Sequence, residues 1–154
     1  MATTGAEAGS GDKALFVDTN VLIYANVIEA PQHQAALAAI TAARESGRPL
    51  WLSPQVIREY LVIMTRPQAF VALPHETVLE QVRVFLGQFR IADETFVVTK
   101  TRCQLMATIP IGGKQVHDAN LVATMIAYGI PSLLTHNTKD FGRFGDKIRV
   151  EGLE

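Results

Sequence analysis

The sequence has few of the features that mark secreted or membrane-embedded proteins. Its 154 residues include one cysteine, Cys103, which cannot form a disulfide within the chain and is a poor start for a zinc site. We expect this cysteine to be a small buried core residue. No stretch is apolar enough to span a membrane, and residues 1–13 lack the apolar segment of a signal peptide. A cytoplasmic location is therefore the simplest expectation.

An excess of positive charge is also absent. The chain has 14 Lys and Arg against 15 Asp and Glu, and its net charge is -1. This excludes a surface that is basic over its whole area, as expected of a protein that binds nucleic acid on every face, but not a local basic rim around an acidic site. No glycine-rich phosphate loop, nucleotide fingerprint or Ser-His-Asp or Cys-His arrangement with recognisable spacing is present either.

The composition and patterning that are present indicate one globular α/β domain. Residues 1–13, rich in Ala, Gly, Ser and Thr, are predicted to be a flexible N-terminal tail, and residues 14–154 a single domain. Short apolar runs that alternate with helical segments predict a three-layer α/β sandwich with a mainly parallel central sheet of about five strands. The predicted strands are 14–17, 50–52, 95–98, 132–134 and 148–150. The helices between them cover 21–25, 32–45, 54–66, 75–89, 99–108 and 117–128, and residues 135–145 are mostly loop.

Polar residues follow the ends of these strands, where parallel sheets bind ligands. Asp18 ends the first strand, Asn137 and Asp140 follow the fourth, and Asp118 begins the helix that leads into the fourth strand. Each of these also has a structural explanation, as a helix cap or as a turn residue. Glu59 lies beside the apolar face of its helix, where a carboxylate is costly to desolvate unless a cation or hydrogen-bond donors meet it, or unless it extends to water.

Four acidic positions at one edge of a sheet would repel one another unless something positive lies among them. Oxygen ligands without a matching His or Cys set favour Mg²⁺ or Mn²⁺. Such an ion can activate water for attack on a phosphodiester, so that no nucleophilic side chain is needed.

Four motifs in this order resemble those of PIN-domain nucleases, especially the VapC toxins of bacterial toxin–antitoxin pairs. They are residues 17–24 (VDTNVLIY), residues 53–60 (SPQVIREY), residues 117–119 (HDA) and residues 134–141 (LTHNTKDF). The resemblance covers residues 14–150 with near-usual separations between the motifs. It implies a PIN fold, divalent-metal catalysis with Mg²⁺ or Mn²⁺, and an RNA substrate cut to leave 5′-phosphate and 3′-hydroxyl ends.

The resemblance also implies roles for particular residues. Asp18 and Asp118 would be the main metal ligands, and Glu59 would bind the metal directly or through water. Asn137 stands where many relatives carry Asp, and Asp140 follows three residues later, so either residue is a candidate for the fourth position. Hydroxyl and amide groups that would orient the carboxylates are Thr19, Asn20 and Thr135.

The partners implied by the resemblance are an RNA substrate, a second copy of the chain in a homodimer, and an antitoxin that inserts a basic side chain into the acidic pocket. Candidate contacts to the RNA backbone are Lys100, Arg102, Lys114, Lys139 and Arg143. Two alternatives stay open. One is a nuclease of this fold that acts on DNA or in RNA processing without a toxin role, and the other is a catalytically weak nucleic-acid-binding module.

Overall fold

The computed structural model describes residues 13–67 and 72–154. Five strands form one sheet: β1 (Leu15–Val17), β2 (Leu50–Leu52), β3 (Arg90–Ile91), β4 (Ser132–Leu134) and β5 (Arg149–Glu151). The α-helices are α1 (Thr19–Asn26), α2 (His33–Glu45), α3 (Pro54–Thr65), α4 (His75–Gln88), α5 (Phe96–Thr108) and α6 (Gln115–Tyr128). A 3-10 helix over Thr138–Phe144 connects β4 to β5.

The sheet has the strand order β3-β2-β1-β4-β5, and every pair of neighbours is parallel. The chain runs outward from β1 through β2 to β3, then crosses back to β4 and continues to β5 on the other side. Strand order therefore reverses between β1 and β4, and this is the point at which open parallel sheets form a crevice at their carboxyl ends. The predicted α/β class with a parallel sheet of about five strands is confirmed.

The helices cover both faces of the sheet. Because crossovers between parallel strands are right-handed, the outward connections place α1 to α4 on one face, and the return connection places α5 and α6 on the other. The packing agrees with this division: α1 contacts α2 and α3, α3 contacts α4, and α5 contacts α6. The result is the three-layer sandwich that the alternating pattern predicts.

The core lies between these layers and is centred on β1 and α6. All three residues of β1 are buried, and so are seven consecutive residues of α6, from Ala119 to Met125. Seven consecutive residues cover every side of a helix, and two of these seven, Asn120 and Thr124, are polar. Because buried polar groups need hydrogen-bond partners, α6 brings a polar network into the interior.

The predicted strand over residues 95–98 is wrong, since this segment forms the first turn of α5. Phe96 and Val97 are 74% and 56% exposed there, whereas a central strand of a parallel sheet would bury both. The third strand is Arg90–Ile91, and two residues are too few to give a periodic signal. The segment after β4, predicted as mostly loop, forms the 3-10 helix instead.

The expected burial of Cys103 is also wrong, because this residue is exposed. At ~100° per residue, Cys103 lies about 140° around α5 from Val98, which faces the core. Its thiol therefore points away from the helix face that packs on the domain.

The predicted tail over residues 1–13 lies outside the described residues except for Lys13. The carbonyl of Lys13 accepts a hydrogen bond of 2.7 Å from Nε of Arg48. Within the described ranges, no helix combines the length and the apolar character needed to cross a membrane.

Candidate active site

A pocket of about 550 Å³ opens at the carboxyl edge of the sheet, where strand order reverses. The backbone N–H of Asp18 donates to the carbonyl of Leu134 at 3.0 Å, which joins the ends of β1 and β4 directly beneath it. Four of the residues that line the pocket are acidic. The lining consists of Asp18, Thr19, Asn20, Ile23, Tyr24, Glu59, Ile63, Arg66, Asp118, Asn137, Asp140 and Phe141.

Asp18 is the most deeply placed of these carboxylates, with only 8% of its surface exposed. It is the N-cap of α1, where Oδ1 accepts from the backbone N–H of Thr19 at 2.8 Å. Its Oδ2 accepts from Oγ1 of Thr135 at 2.8 Å and from Nδ2 of Asn20 at 3.3 Å. Burial raises the pKa of Asp18 to about 6, although the hydrogen bonds from Thr135 and Thr19 oppose the shift. The residue therefore caps a helix and also faces the pocket.

Glu59 reaches the pocket from α3, whose start is fixed by the Ser53 cap and by Pro54 at the first helical position. Val56 and Tyr60 are buried on one face of this helix, and Glu59 lies half-buried at the margin of that face. Its Oε1 accepts from Oγ1 of Thr19 at 2.8 Å, and its Oε2 accepts from Nε2 of Gln55 at 3.3 Å. Hydrogen-bond donors thus meet the carboxylate that the sequence pattern marked as costly to desolvate.

Asp118 lies in the first turn of α6 and is half-buried. Burial raises the pKa of Asp118, and the negative charges of Asp140 and Glu59 raise it further, while Arg143 and His117 oppose them. Asp140 comes from the 3-10 helix and is exposed. The structure therefore brings the four predicted acidic residues to one pocket, with Asp140 close enough to Asp118 to affect its titration.

Asn137 also lines the pocket, and its backbone N–H donates to Oγ1 of Thr135 at 3.0 Å. Nδ2 of Asn20 lies 3.4 Å from the same hydroxyl, and Oδ1 of Asn20 accepts from the backbone N–H of His136 at 3.1 Å. These contacts connect the segment after β4 to the start of α1. The three residues predicted to orient the carboxylates, Thr19, Asn20 and Thr135, therefore all hydrogen-bond to Asp18 or to Glu59.

A polar network behind the pocket was missed by the sequence reasoning. Nε2 of Gln55 donates to Glu59 and, at 2.9 Å, to the backbone carbonyl of His117. Oε1 of Gln55 accepts from Nδ2 of Asn120 at 2.8 Å, and Oδ1 of Asn120 accepts from Arg102 at 2.7 Å. The one sequence signal for this network is the spacing of Gln55 and Glu59, which are four residues apart and so share a helix face.

The five basic residues predicted to contact RNA do not line the pocket. Arg102 is half-buried and bonded to Asn120, and Nζ of Lys100 lies 5.8 Å from the centre of the Phe96 ring. Arg143 is near enough to Asp118 to lower its pKa. Lys114 and Lys139 are exposed, beside the first turn of α6 and in the 3-10 helix. Among the described residues, the basic side chain that does line the pocket is that of Arg66, which sequence reasoning did not single out.

The donor set of the pocket fits a hard divalent cation. Its acidic residues offer carboxylate oxygens, which Mg²⁺ and Mn²⁺ prefer, and no His or Cys is among the described residues that line it. In the described residues, no three His, Cys, Asp or Glu side chains are arranged so that they could hold a metal ion. Thr19 lies between the carboxylates of Asp18 and Glu59, because its N–H donates to Asp18 and its hydroxyl donates to Glu59. Mg²⁺ usually keeps several waters and needs only one or two direct carboxylates, so an arrangement without three grouped ligands is compatible with Mg²⁺.

Structures of similar fold include the VapBC2 complex of Rickettsia felis bound to a promoter DNA fragment, with a TM-score of 0.61 and 19% identity over 90% of this chain and 98% of that one. A toxin–antitoxin complex of Klebsiella pneumoniae gives a TM-score of 0.63 and 22% identity over 92% and 98%. VapC20 of Mycobacterium tuberculosis, described as a toxin that cleaves the sarcin–ricin loop, gives 0.59 and 17% over 78% and 87%. A comparison with curated protein sequences finds no match.

The family assignment comes from the sequence itself. The model of the PIN-domain family matches residues 15–147, which is well over half of the chain and includes every acidic residue of the pocket. The similar structures are less than 25% identical and support the same fold. The chain therefore belongs to the PIN-domain family.

Proposed function

We propose that the protein is an endoribonuclease that depends on Mg²⁺ or Mn²⁺ and is the toxin of a toxin–antitoxin pair. The observation that carries this proposal is that Asp18, Glu59, Asp118 and Asp140 line one pocket. The charges of Glu59 and Asp118 raise the pKa of Asp18, and those of Asp140 and Glu59 raise the pKa of Asp118. A pocket that accumulates negative charge in this way is suited to a divalent cation, which stabilises the ionised carboxylates.

Asp18 and Asp118 would be the main ligands of the cation, with Glu59 binding it directly or through water. When bound, the cation would supply an activated water and neutralise charge on the phosphodiester. Thr135 and Asn20 hold Oδ2 of Asp18 in one orientation, and Gln55 does the same for Oε2 of Glu59. Fixed orientation of ligands is what supporting hydrogen bonds provide in metal sites. Either Asp140 or Asn137 would complete the set.

The proposal of RNA as substrate and of a toxin role is supported by the descriptions of proteins that share this fold. One of these proteins is described as a toxin that cleaves the sarcin–ricin loop, and another structure is described as a toxin–antitoxin complex. An antitoxin would silence the enzyme by placing a basic side chain among the carboxylates, because a guanidinium pairs with two carboxylate oxygens at once. A homodimer in the cytoplasm is part of the same proposal.

The test of the nuclease is cleavage of total RNA by the purified protein, free of antitoxin, with Mg²⁺, with Mn²⁺ and with EDTA. We expect cuts at discrete sites that need the metal and are lost in Asp18→Asn and Asp118→Asn. Asp146→Asn is the matched control, since Asp146 is exposed and outside the pocket. Activity that survives in both pocket variants would place the catalytic centre elsewhere, and inactive folded wild-type protein would favour a binding role.

The test of the toxin role is growth. Expression of the wild-type chain should arrest growth, expression of Asp18→Asn should not, and co-expression of the neighbouring open reading frame should restore it. A parallel assay on single- and double-stranded DNA separates the alternatives. Cleavage of DNA in preference to RNA, or a wild-type chain without effect on growth, would favour a nuclease of this family without a toxin role.

A further inference from the structure

We propose that Arg66 binds a phosphate of the nucleic-acid chain beside the carboxylate cluster and so fixes the position of the strand in the pocket. The inference rests on the proposed nuclease function, and it adds a residue that none of the four motifs contains. The ligand class is a phosphodiester of single-stranded RNA.

The position of Arg66 is set by α3, the helix that also carries Glu59. Arg66 is the C-cap of this helix, and its backbone is extended, with φ -73° and ψ 153°. It follows Glu59 by seven residues, which at 1.5 Å per residue is about 10 Å along the helix and within about 20° of the same face. Ile63 lies between the two and also lines the pocket. The guanidinium therefore belongs to the same pocket as the carboxylates, but an apolar side chain separates the two on the helix.

A second feature of Arg66 is the lack of an acidic partner for its guanidinium in the described part of the chain. Arg66 makes no ion pair with any of the described residues, although its pocket contains four carboxylates. By contrast, Arg48 pairs with Glu151 at 2.8 Å, and Arg83 pairs with Glu80. Arginine presents a planar set of N–H donors that matches two phosphate oxygens, so an unpaired guanidinium at an acidic pocket suits an anionic ligand.

Other residues that line the pocket suit the base of a nucleotide whose phosphate Arg66 binds. An acidic pocket by itself repels a polyanion, and a cation in its lining offsets this repulsion for the strand that enters. Tyr24 lines the same pocket and is half-buried, with its ring edge-on to His136 at 5.4 Å. Aromatic side chains beside a cation are the usual contacts of unstacked bases in single-stranded RNA. Phosphate and base would thus both have partners in the lining of this pocket.

The experiment is binding of a fluorescently labelled single-stranded RNA of mixed sequence to the full chain in EDTA, followed by anisotropy over a range of salt concentrations. Arg66→Ala should weaken binding about tenfold, as expected for a lost charged hydrogen bond. It should also make the slope of log K against log[salt] shallower by about 0.7, the value for one phosphate contact on a single strand. Arg66→Lys should recover part of the affinity. Arg58→Ala, which removes an exposed arginine of the same helix outside the pocket, should behave as wild type.

With Mg²⁺ and cleavable RNA, Arg66→Ala should raise KM while kcat changes little. Wild-type protein that does not bind the labelled RNA, or an Arg66→Ala variant with unchanged affinity and salt slope, would overturn the proposal. So would faster cleavage by Arg66→Ala, because the guanidinium would then compete with the metal for the carboxylates. If the wild type cleaves nothing but Arg66→Ala still loses RNA binding, the nuclease proposal fails and the role of Arg66 in binding stands.

Discussion

Oε1 of Gln55 accepts a hydrogen bond of 2.8 Å from Nδ2 of Asn120, which joins α3 on one face of the sheet to α6 on the other. Gln55 is 3% exposed and Asn120 7%. The same Gln55 side chain donates to Glu59 and to the carbonyl of His117, the residue before Asp118. A single amide thus contacts one pocket carboxylate and the backbone next to another. We infer that this pair sets the distance between the two helices that carry Glu59 and Asp118.

Substitution of Asn120 by Ala should lower both stability and activity. The change leaves Oε1 of Gln55 buried without its donor, which costs about 1–3 kcal/mol of unfolding free energy. Because Gln55 is then less constrained, Glu59 should lose its orientation, and we expect a lower kcat for RNA cleavage. Chemical denaturation and single-turnover cleavage measure the two effects. Gln104→Ala, an exposed amide on α5, is the control and should change neither. An Asn120→Ala variant as stable as Gln104→Ala would show that the network contributes nothing.

The raised pKa of Asp18 predicts that this residue contributes more to the stability of the metal-free protein in mild acid than at neutral pH. Its folded value of about 6 lies above the ordinary 3.8 of the unfolded chain. The stabilisation from this residue is therefore complete below pH 3.8 and is lost as the pH rises through about 6, a fall of ~3 kcal/mol. The measurement is urea denaturation in EDTA from pH 4 to pH 8, for wild type and for Asp18→Asn. The difference between the two curves isolates Asp18, and a flat difference would contradict the prediction.

The fold was predictable to the extent that apolar runs and helix signals are local. The Ser53-Pro54 start of α3, the α6 helix that Gly129 ends and the parallel sheet all follow from such signals. The third strand was placed wrongly because Thr95 to Val98 is apolar enough for a strand, while the true strand has two residues. An apolar run of four residues does not distinguish a strand from the first turn of a helix.

The candidate site was predictable in its acidic residues but not in what supports them. The motifs of a family specify residue types at fixed spacing, so they predict Asp18, Glu59 and Asp118 as site residues. Asn120 and Arg66 depend on which helices meet at the carboxyl edge, and that information is tertiary. Arg102 shows the same limit, because its position in the sequence does not reveal that its guanidinium donates to the buried amide of Asn120. The assignment of all these residues to catalysis or binding stays a prediction.

The hydroxyl of Thr135 should favour the ionised form of Asp18. It donates to Oδ2 of Asp18 at 2.8 Å and is buried, and its hydrogen bond lowers the pKa of Asp18 against the effect of burial. Thr135→Val keeps the shape and removes this donor, so the pKa of Asp18 should rise above about 6. Because hydrogen bonds to charged groups contribute about 1.5–3 kcal/mol and neutral ones less, the loss of stability should be larger at pH 8 than at pH 5.

The measurement for Thr135→Val is denaturation at both pH values, together with carboxyl titration by nuclear magnetic resonance. Thr101→Val removes a hydroxyl that donates to the backbone carbonyl of Val97 in an exposed hydrogen bond within α5. It is the matched control and should show no dependence on pH. Equal losses for Thr135→Val at both pH values would mean that the hydroxyl does not interact with the ionised form.

Divalent metal should stabilise the protein through the same carboxylates. A cation that binds only the folded state adds about 2.7 kcal/mol to the unfolding free energy at 100 times its Kd. We expect Mg²⁺ or Mn²⁺ to raise Tm more at pH 8 than at pH 5, since protons compete for Asp18 and Asp118, whose pKa values are raised. Thermal scans of wild type, Asp18→Asn and Asp146→Asn provide the test. A Tm rise of equal size in wild type and Asp18→Asn would mean that the cation binds elsewhere.

Asp140, not Asn137, is expected to complete the acidic set. Both residues line the pocket, but Asp140 carries a charge that raises the pKa of Asp118, whereas Asn137 contributes a backbone N–H to Thr135. Asp140→Asn should therefore lower the pKa of Asp118 and reduce cleavage about 10–100-fold, the usual effect of losing a residue that supports a metal site. Asn137→Ala keeps its backbone N–H and should reduce cleavage less.

These two variants are compared by cleavage rate at a fixed Mg²⁺ concentration, by the Mg²⁺ concentration that gives half-maximal rate, and by the Asp118 titration. If Asn137→Ala is the more damaged enzyme and Asp140→Asn retains its rate, the amide oxygen of Asn137 holds the fourth position. The variant Asn137→Asp then gives the decisive comparison. If residue 137 faces the cation, the added carboxylate should strengthen metal binding. If Asp140 faces the cation instead, the added carboxylate should only raise the pKa of its acidic neighbours.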